Sequence, residues 1–173
     1  MKISVLLPYK ENFASNYAGA VSLFVKDTIR HSKFYDTSFV FGSMPYKNAF
    51  LRNYINIDLK KTFISSNSKN YVNQFLTKEK KINSDIIEIH NRPNYIQYLK
   101  NVENKKIILY FHNDPLSMNG SSSIKDRIFL LKNCYRIIFN SNWSKKRFLE
   151  GMSSDAINSE KLIVIHQSAS KNK

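Results

Sequence analysis

Two histidines stand in matching contexts. His90 opens His90-Asn91-Arg92-Pro93 and His112 opens His112-Asn113-Asp114-Pro115, each at the end of an apolar run. A neutral imidazole can accept or donate a proton near neutral pH, or hydrogen-bond a hydroxyl. Asp114 lies close enough in sequence to orient His112, and the two could form such a pair. A lone histidine is more often structural than catalytic. The repetition at two strand ends makes His112 the candidate catalyst, while His90 divides between ligand contact and core packing. His31 and His166 are the remaining histidines and neither lies in a ligand-like motif, so no metal site is expected.

Two further places can meet a ligand. Gly19 lies at the mouth of a helix, after the loop that begins Pro8-Tyr9-Lys10-Glu11. A helix N-terminus offers unpaired N–H groups and a positive dipole end, which suit a phosphate or a sugar hydroxyl. Without a side chain, the backbone can be approached closely; ordinary strand–helix packing explains the same glycine equally well. In Asn140-Ser141-Asn142-Trp143, Ser141 or Asn142 reads as a helix cap and Trp143 as a packing residue. Lys145, Lys146 and Arg147 form a basic face, either solvated or turned toward acidic lipid or phosphate. Cys134 has no nucleophile signature around it and reads as a small buried side chain. There is no G-x-G-x-x-G string, which disfavours a dinucleotide site of the usual kind.

These residues need a frame. Ile3–Leu7, Ser38–Phe41, Ile86–Ile89, Ile107–Phe111, Ile137–Phe139 and Leu162–Ile165 are short, nearly continuous apolar runs, as strands buried on both faces are. Between them lie helical stripes: Ala18/Val21/Val25/Thr28–Ile29, Val72/Phe75/Leu76 and Ile124/Ile128/Leu131. A fourth helix is expected from Asn142 to Glu150, stopped at Gly151. Tyr54–Ile57 is either a further strand or part of an irregular connection. The alternation predicts a Rossmann-like, doubly wound α/β fold: a mostly parallel sheet of about six to seven strands with helices on both faces. Such sheets bind ligands at the carboxyl ends of their strands, where both histidines fall.

The composition narrows the classes. The chain has 173 residues and 13% aromatics, enough for one folded domain. Its net charge of +14 favours anionic partners, or reflects solvated lysine faces in a chain heavy in Asn, Ile and Lys. One cysteine excludes an internal disulfide. No apolar stretch approaches the roughly 20 residues that span a bilayer, and Ile3–Leu7 is too short for a signal-peptide core. A cytoplasmic protein is expected, peripheral on the inner membrane if it meets a membrane. A receiver domain is excluded, because its first strand leads to an acidic cluster and this one leads to Pro8-Tyr9-Lys10.

The segments KISVLLP…YAGAVSLFV, DIIEIHNRP, IILYFHNDP, YRIIFNSNWSKKRF and KLIVIHQSAS, in this order, resemble family 4 glycosyltransferases of the GT-B fold. The resemblance spans nearly the whole chain. It implies an acceptor-side N-terminal domain over residues 1–167, with 168–173 the start of an interdomain linker or a tail. It implies that His112 is catalytic and faces the reacting sugar, and that Gly19 lies by the inter-lobe cleft near the donor phosphates. His90, Asn91, Arg92, Asn113, Asp114 and Ser141 are the remaining expected substrate contacts. The implied reaction moves a sugar, with retention, from a nucleotide sugar to a cell-envelope, lipopolysaccharide-type or lipid-linked acceptor; no cofactor is expected beyond that co-substrate. Two features depart from the pattern. Ile165 runs into His166-Gln167-Ser168 where the family has a Pro-Asn-Gly-like turn, and the donor-binding lobe with its paired glutamates is absent from these residues. Transfer needs the reacting atoms about 3–3.5 Å apart and a stabilised leaving diphosphate, so the chain alone is expected to be inactive without a donor lobe in cis or trans. The rival expectation is a non-catalytic basic module that binds an anionic polymer, a membrane surface or a partner protein. No nucleic-acid motif supports the polymer being nucleic acid.

Overall fold

The computed structural model describes residues 1–59, 66–100, 102 and 104–167. Seven strands form one parallel sheet: β1 (Ile3–Leu6), β2 (Ser38–Gly42), β3 (Tyr54–Asn56), β4 (Ile86–His90), β5 (Lys106–Phe111), β6 (Arg136–Phe139) and β7 (Leu162–Val164). Their order is β3-β2-β1-β4-β5-β6-β7, so the direction in which strands are added across the sheet reverses between β1 and β4. The six expected runs are all strands, and Tyr54–Asn56 is a seventh at the edge. The expected connection beyond it runs partly into residues 60–65, outside the described residues.

Strand alternation sends odd and even residues to different layers. Val5, Leu7 and Val40 pack under α1 (Ala20–Arg30) through Val21, Val25 and Ile29, with Met44 and Leu51 from the β2–β3 connection. Leu6, Phe41, Ile87, Ile89, Leu109, Phe111, Ile137 and Phe139 face the other way. They meet Tyr71, Val72 and Phe75 of α2 (Asn67–Ile82), Ile96 and Leu99 of α3 (Ile96–Leu99), Leu130 of α4 (Ile124–Asn133) and Phe148 of α5 (Asn142–Leu149). A short α6 (Ser154–Ile157) precedes β7. Helices therefore cover both faces. Among the described residues, no helix is long and apolar enough to cross a membrane.

Caps fix the helix starts. Ser66 accepts from Lys69 N for α2, Ser123 and Asp126 form a reciprocal capping box for α4, and Ser141 accepts from Ser144 N for α5. Asn83 ends α2 in the left-handed region, and Gly151, at φ +72°, follows α5 as expected.

Two packing expectations need correction. The Ile124/Ile128/Leu131 stripe is not the buried face of α4: Ile124 and Ile128 are 44% and 42% exposed, and Arg127 and Leu130 point inward. The Arg127 stem lies in the interior so that its guanidinium can donate to Glu150 O (2.7 Å) and close the end of α5. Trp143 does not pack in the core; it is 57% exposed, with the Arg147 guanidinium 5.8 Å from its ring centroid.

Candidate functional site

The carboxyl ends of β4, β5 and β6 form one rim. Register places His90 opposite Tyr110, and the two rings stack at 4.8 Å between centroids. His112 follows the end of β5, and its Nε2 lies 2.9 Å from His90 Nδ1. The two expected histidines are thus in direct contact. Phe24 of α1 stands edge-on to the His112 ring at 5.0 Å, which brings the α1 face to the same rim.

Three amides hold His112 in place. Asn91 adopts φ +50° and turns its Oδ1 to accept from His112 N at 2.8 Å. Asparagine tolerates this left-handed backbone better than most residues with a Cβ. Asn140 Nδ2 donates to His112 O at 2.8 Å, and Asn140 Oδ1 accepts from the Ser144 hydroxyl at 2.6 Å. Ser144 also contacts Ser141 Oγ at 2.8 Å, so the cap of α5 is wired to the His112 backbone. The Gln167 side-chain amide meets His112 Nδ1 at the rim. Burial, and then the neighbouring His90, lower the His112 pKa to about 3, so the ring is neutral at physiological pH.

Other expected contacts are arranged differently. Asp114 does not pair with His112. Its carboxylate binds Arg147 (Nη2–Oδ2 3.1 Å) and accepts from Leu116 N at 3.0 Å, because the turn through Pro115 aims it at α5. The hydrogen bond from Arg147 holds the Asp114 carboxyl below the usual carboxylate range. Asn113 is exposed beside the rim. Arg92 is half-buried, donates to Asn91 O at 2.8 Å, and has no carboxylate partner among the described residues. The basic face of α5 is partly committed within the fold: Lys145 donates to Leu162 O at 3.0 Å and Arg147 binds Asp114 and Glu150, leaving Lys146 outward.

Gly19 caps α1, but the helix end already has an anionic neighbour. Glu11 Oε1 lies 3.4 Å from Ser22 N, and a Cβ added at Gly19 would meet that oxygen at 2.5 Å. A carboxylate is favoured there by the same partial charges that would attract a phosphate. Glu11, Asn140 and Gln167 were not among the expected site residues. Each lies in a string already singled out in the sequence, Pro8-Tyr9-Lys10-Glu11, Asn140-Ser141-Asn142 and His166-Gln167-Ser168, but not as a residue with a role there. No group of three or more His, Cys, Asp or Glu among the described residues could hold a metal ion.

No protein-family model matches the chain, and no curated protein sequence matches it. Solved structures do. Sucrose-phosphate synthase from Thermosynechococcus elongatus aligns at a TM-score of 0.64 and 12% identity, over 96% of this chain and 48% of that one. A glycosyltransferase from Rickettsia africae aligns at 0.60 and 16% identity, over 96% and 43%. UDP-GlcNAc 2-epimerase from Neisseria meningitidis, bound to UDP-GlcNAc, aligns at 0.56 and 13% identity, over 95% and 46%. The chain spans about half the length of these proteins or less. With its seven parallel strands, it has the Rossmann-like α/β fold found in GT-B-type glycosyltransferases.

Proposed function

We propose that the chain is the acceptor-side, N-terminal domain of a family 4-like, retaining glycosyltransferase, covering residues 1–167, with 168–173 leading to a donor-binding lobe in cis or trans. The donor is a nucleotide sugar, held mainly by that lobe. The acceptor is a cell-envelope or lipid-linked glycan, met at the cytoplasmic side of an anionic membrane. His112 contacts a hydroxyl of the reacting sugar. His90, Asn91, Arg92 and Asn113 line the acceptor side, Gly19 lies toward the donor phosphates, and Ser141 and Asp114 support the rim. The observation that carries this reading is a neutral His112, in contact with His90 and held by three amides at the strand carboxyl ends of a GT-B-type fold.

The chain supplies half of the geometry that transfer needs. A partly enclosed, neutral His112 can hydrogen-bond a hydroxyl without the cost of burying a new charge. It cannot by itself hold the anomeric carbon and the leaving diphosphate in line. Purified chain incubated with UDP-glucose and a lipid-linked acceptor extract is expected to show no turnover. Coexpression with a complementing donor lobe is expected to restore transfer, and His112→Ala in that complex to reduce it by about 100-fold or more, the lower range for a positioned acid–base or hydrogen-bonding group. Turnover by the chain alone, or full activity of the His112→Ala complex, would overturn the proposal.

A further inference from the structure

Glu88 and His90 lie two residues apart on β4 and so share a sheet face. Glu88 Oε2 is 3.8 Å from His90 Nε2, with side chains 22% and 1% exposed. That imidazole nitrogen is buried and makes no hydrogen bond among the described residues, while the other nitrogen of the ring faces His112. Two uncharged rings flank the pair: Tyr110 stacks on His90 and Phe24 packs against it, and burial, followed by the Glu88 charge, raises the Tyr110 hydroxyl pKa.

In a hydrogen bond between two imidazoles, one nitrogen must donate and the other accept. If His112 Nε2–H donates to His90 Nδ1, the His90 proton sits on Nε2 and points toward the Glu88 carboxylate. His112 Nδ1 is then bare and can accept from the Gln167 amide. In the reverse arrangement His90 turns a lone pair toward a carboxylate oxygen, which is repulsive in a site this buried. Reversing the Gln167 amide would accommodate that arrangement at the rim but not at Glu88.

We infer that Glu88 is a positioning residue that sets the tautomers of the His90–His112 pair, so that His112 presents an unprotonated Nδ1 to the rim as a hydrogen-bond acceptor. Its binding partner is therefore a donor, such as a sugar hydroxyl, and the Gln167 amide occupies the place of that donor in this structure. The choice of a sugar rests on the proposed function; the tautomer assignment does not.

Long-range proton–nitrogen correlation spectra of the histidine-labelled chain, with no sugar or nucleotide present, test it directly. At neutral pH, both Nε2 atoms are expected to give protonated, pyrrole-like signals and both Nδ1 atoms bare, pyridine-like ones. A partial charge of roughly one third facing a full charge near 4 Å, at an effective dielectric of about 20, gives a bias of about tenfold. Glu88→Met should erase that bias and move the signals toward intermediate values, while amide spectra report that the fold is retained. Glu88→Gln, which can still turn a carbonyl toward Nε2, should restore part of it. A wild-type His112 protonated at Nδ1, or a folded Glu88→Met or Glu88→Gln protein with all four nitrogen signals unchanged, would overturn the assignment. Because no ligand is present, a failure of sugar binding would leave this result standing.

Discussion

Asn91 does two jobs that substitution can separate. Its backbone sits at φ +50°, and its Oδ1 accepts the His112 N–H at 2.8 Å in a place where Asn91 is only 6% exposed. Asn91→Ala loses both advantages. The orphaned His112 N–H costs about 1–3 kcal/mol, and an alanine in the left-handed region costs about 1 kcal/mol more. A total of roughly 2–4 kcal/mol is expected, a large share of a small domain's stability. Asn91→Gly also loses the hydrogen bond but relaxes the backbone, at the expense of about 0.5–1 kcal/mol of extra chain entropy in the unfolded state. It should therefore cost no more than alanine. Urea unfolding measures both values, and hydrogen exchange at the His112 amide should accelerate in both variants. An alanine cost below about 0.5 kcal/mol, or a glycine variant less stable than the alanine one, would refute the reasoning from backbone strain and a satisfied amide.

Two further predictions concern titration and reactivity. His112 falls to about 3 in the folded chain from an ordinary value of 6.5, so between these values the unfolded chain binds a proton that the folded one refuses, and stability drops as the pH drops. By pH 5.5 this amounts to about 1 kcal/mol, and denaturation curves for His112→Gln should lack that part of the slope; equal slopes for the two proteins would contradict it. Cys134 is 2% exposed, and burial pushes its thiol up to about 12, so a thiol reagent should label it at least about a thousandfold faster in denaturant than in buffer, and comparable rates would contradict its burial.

The sheet was legible because its strands are buried on both sides. Continuous β-branched and aromatic runs such as Ile107–Phe111 leave little choice of structure, and alternation with helical stripes implies the parallel order. The meeting of His90 and His112 was legible for the same reason, since each lies just at or beyond the end of a neighbouring strand. What escaped depended on partners far away in sequence. Asp114 turns from His112 to Arg147 because Pro115 redirects the chain. Arg127 replaces isoleucine on the inner face of α4 because Glu150 O needs a donor. Glu11 settles at the α1 N-terminus from the preceding loop, a choice made by local charge rather than by periodicity. Glu88 reads as a polar break in an apolar strand, although its two-residue spacing from His90 already puts both on one sheet face.

Amide shift mapping of the labelled chain with methyl glucoside and with UDP-glucose tests the rim most directly. Perturbations are expected to gather around Gly19, Asn91, His112, Ser141 and Gln167, at the strand carboxyl ends. A response confined to the opposite end, near Glu79 and Lys105, would contradict a sugar site at the paired histidines.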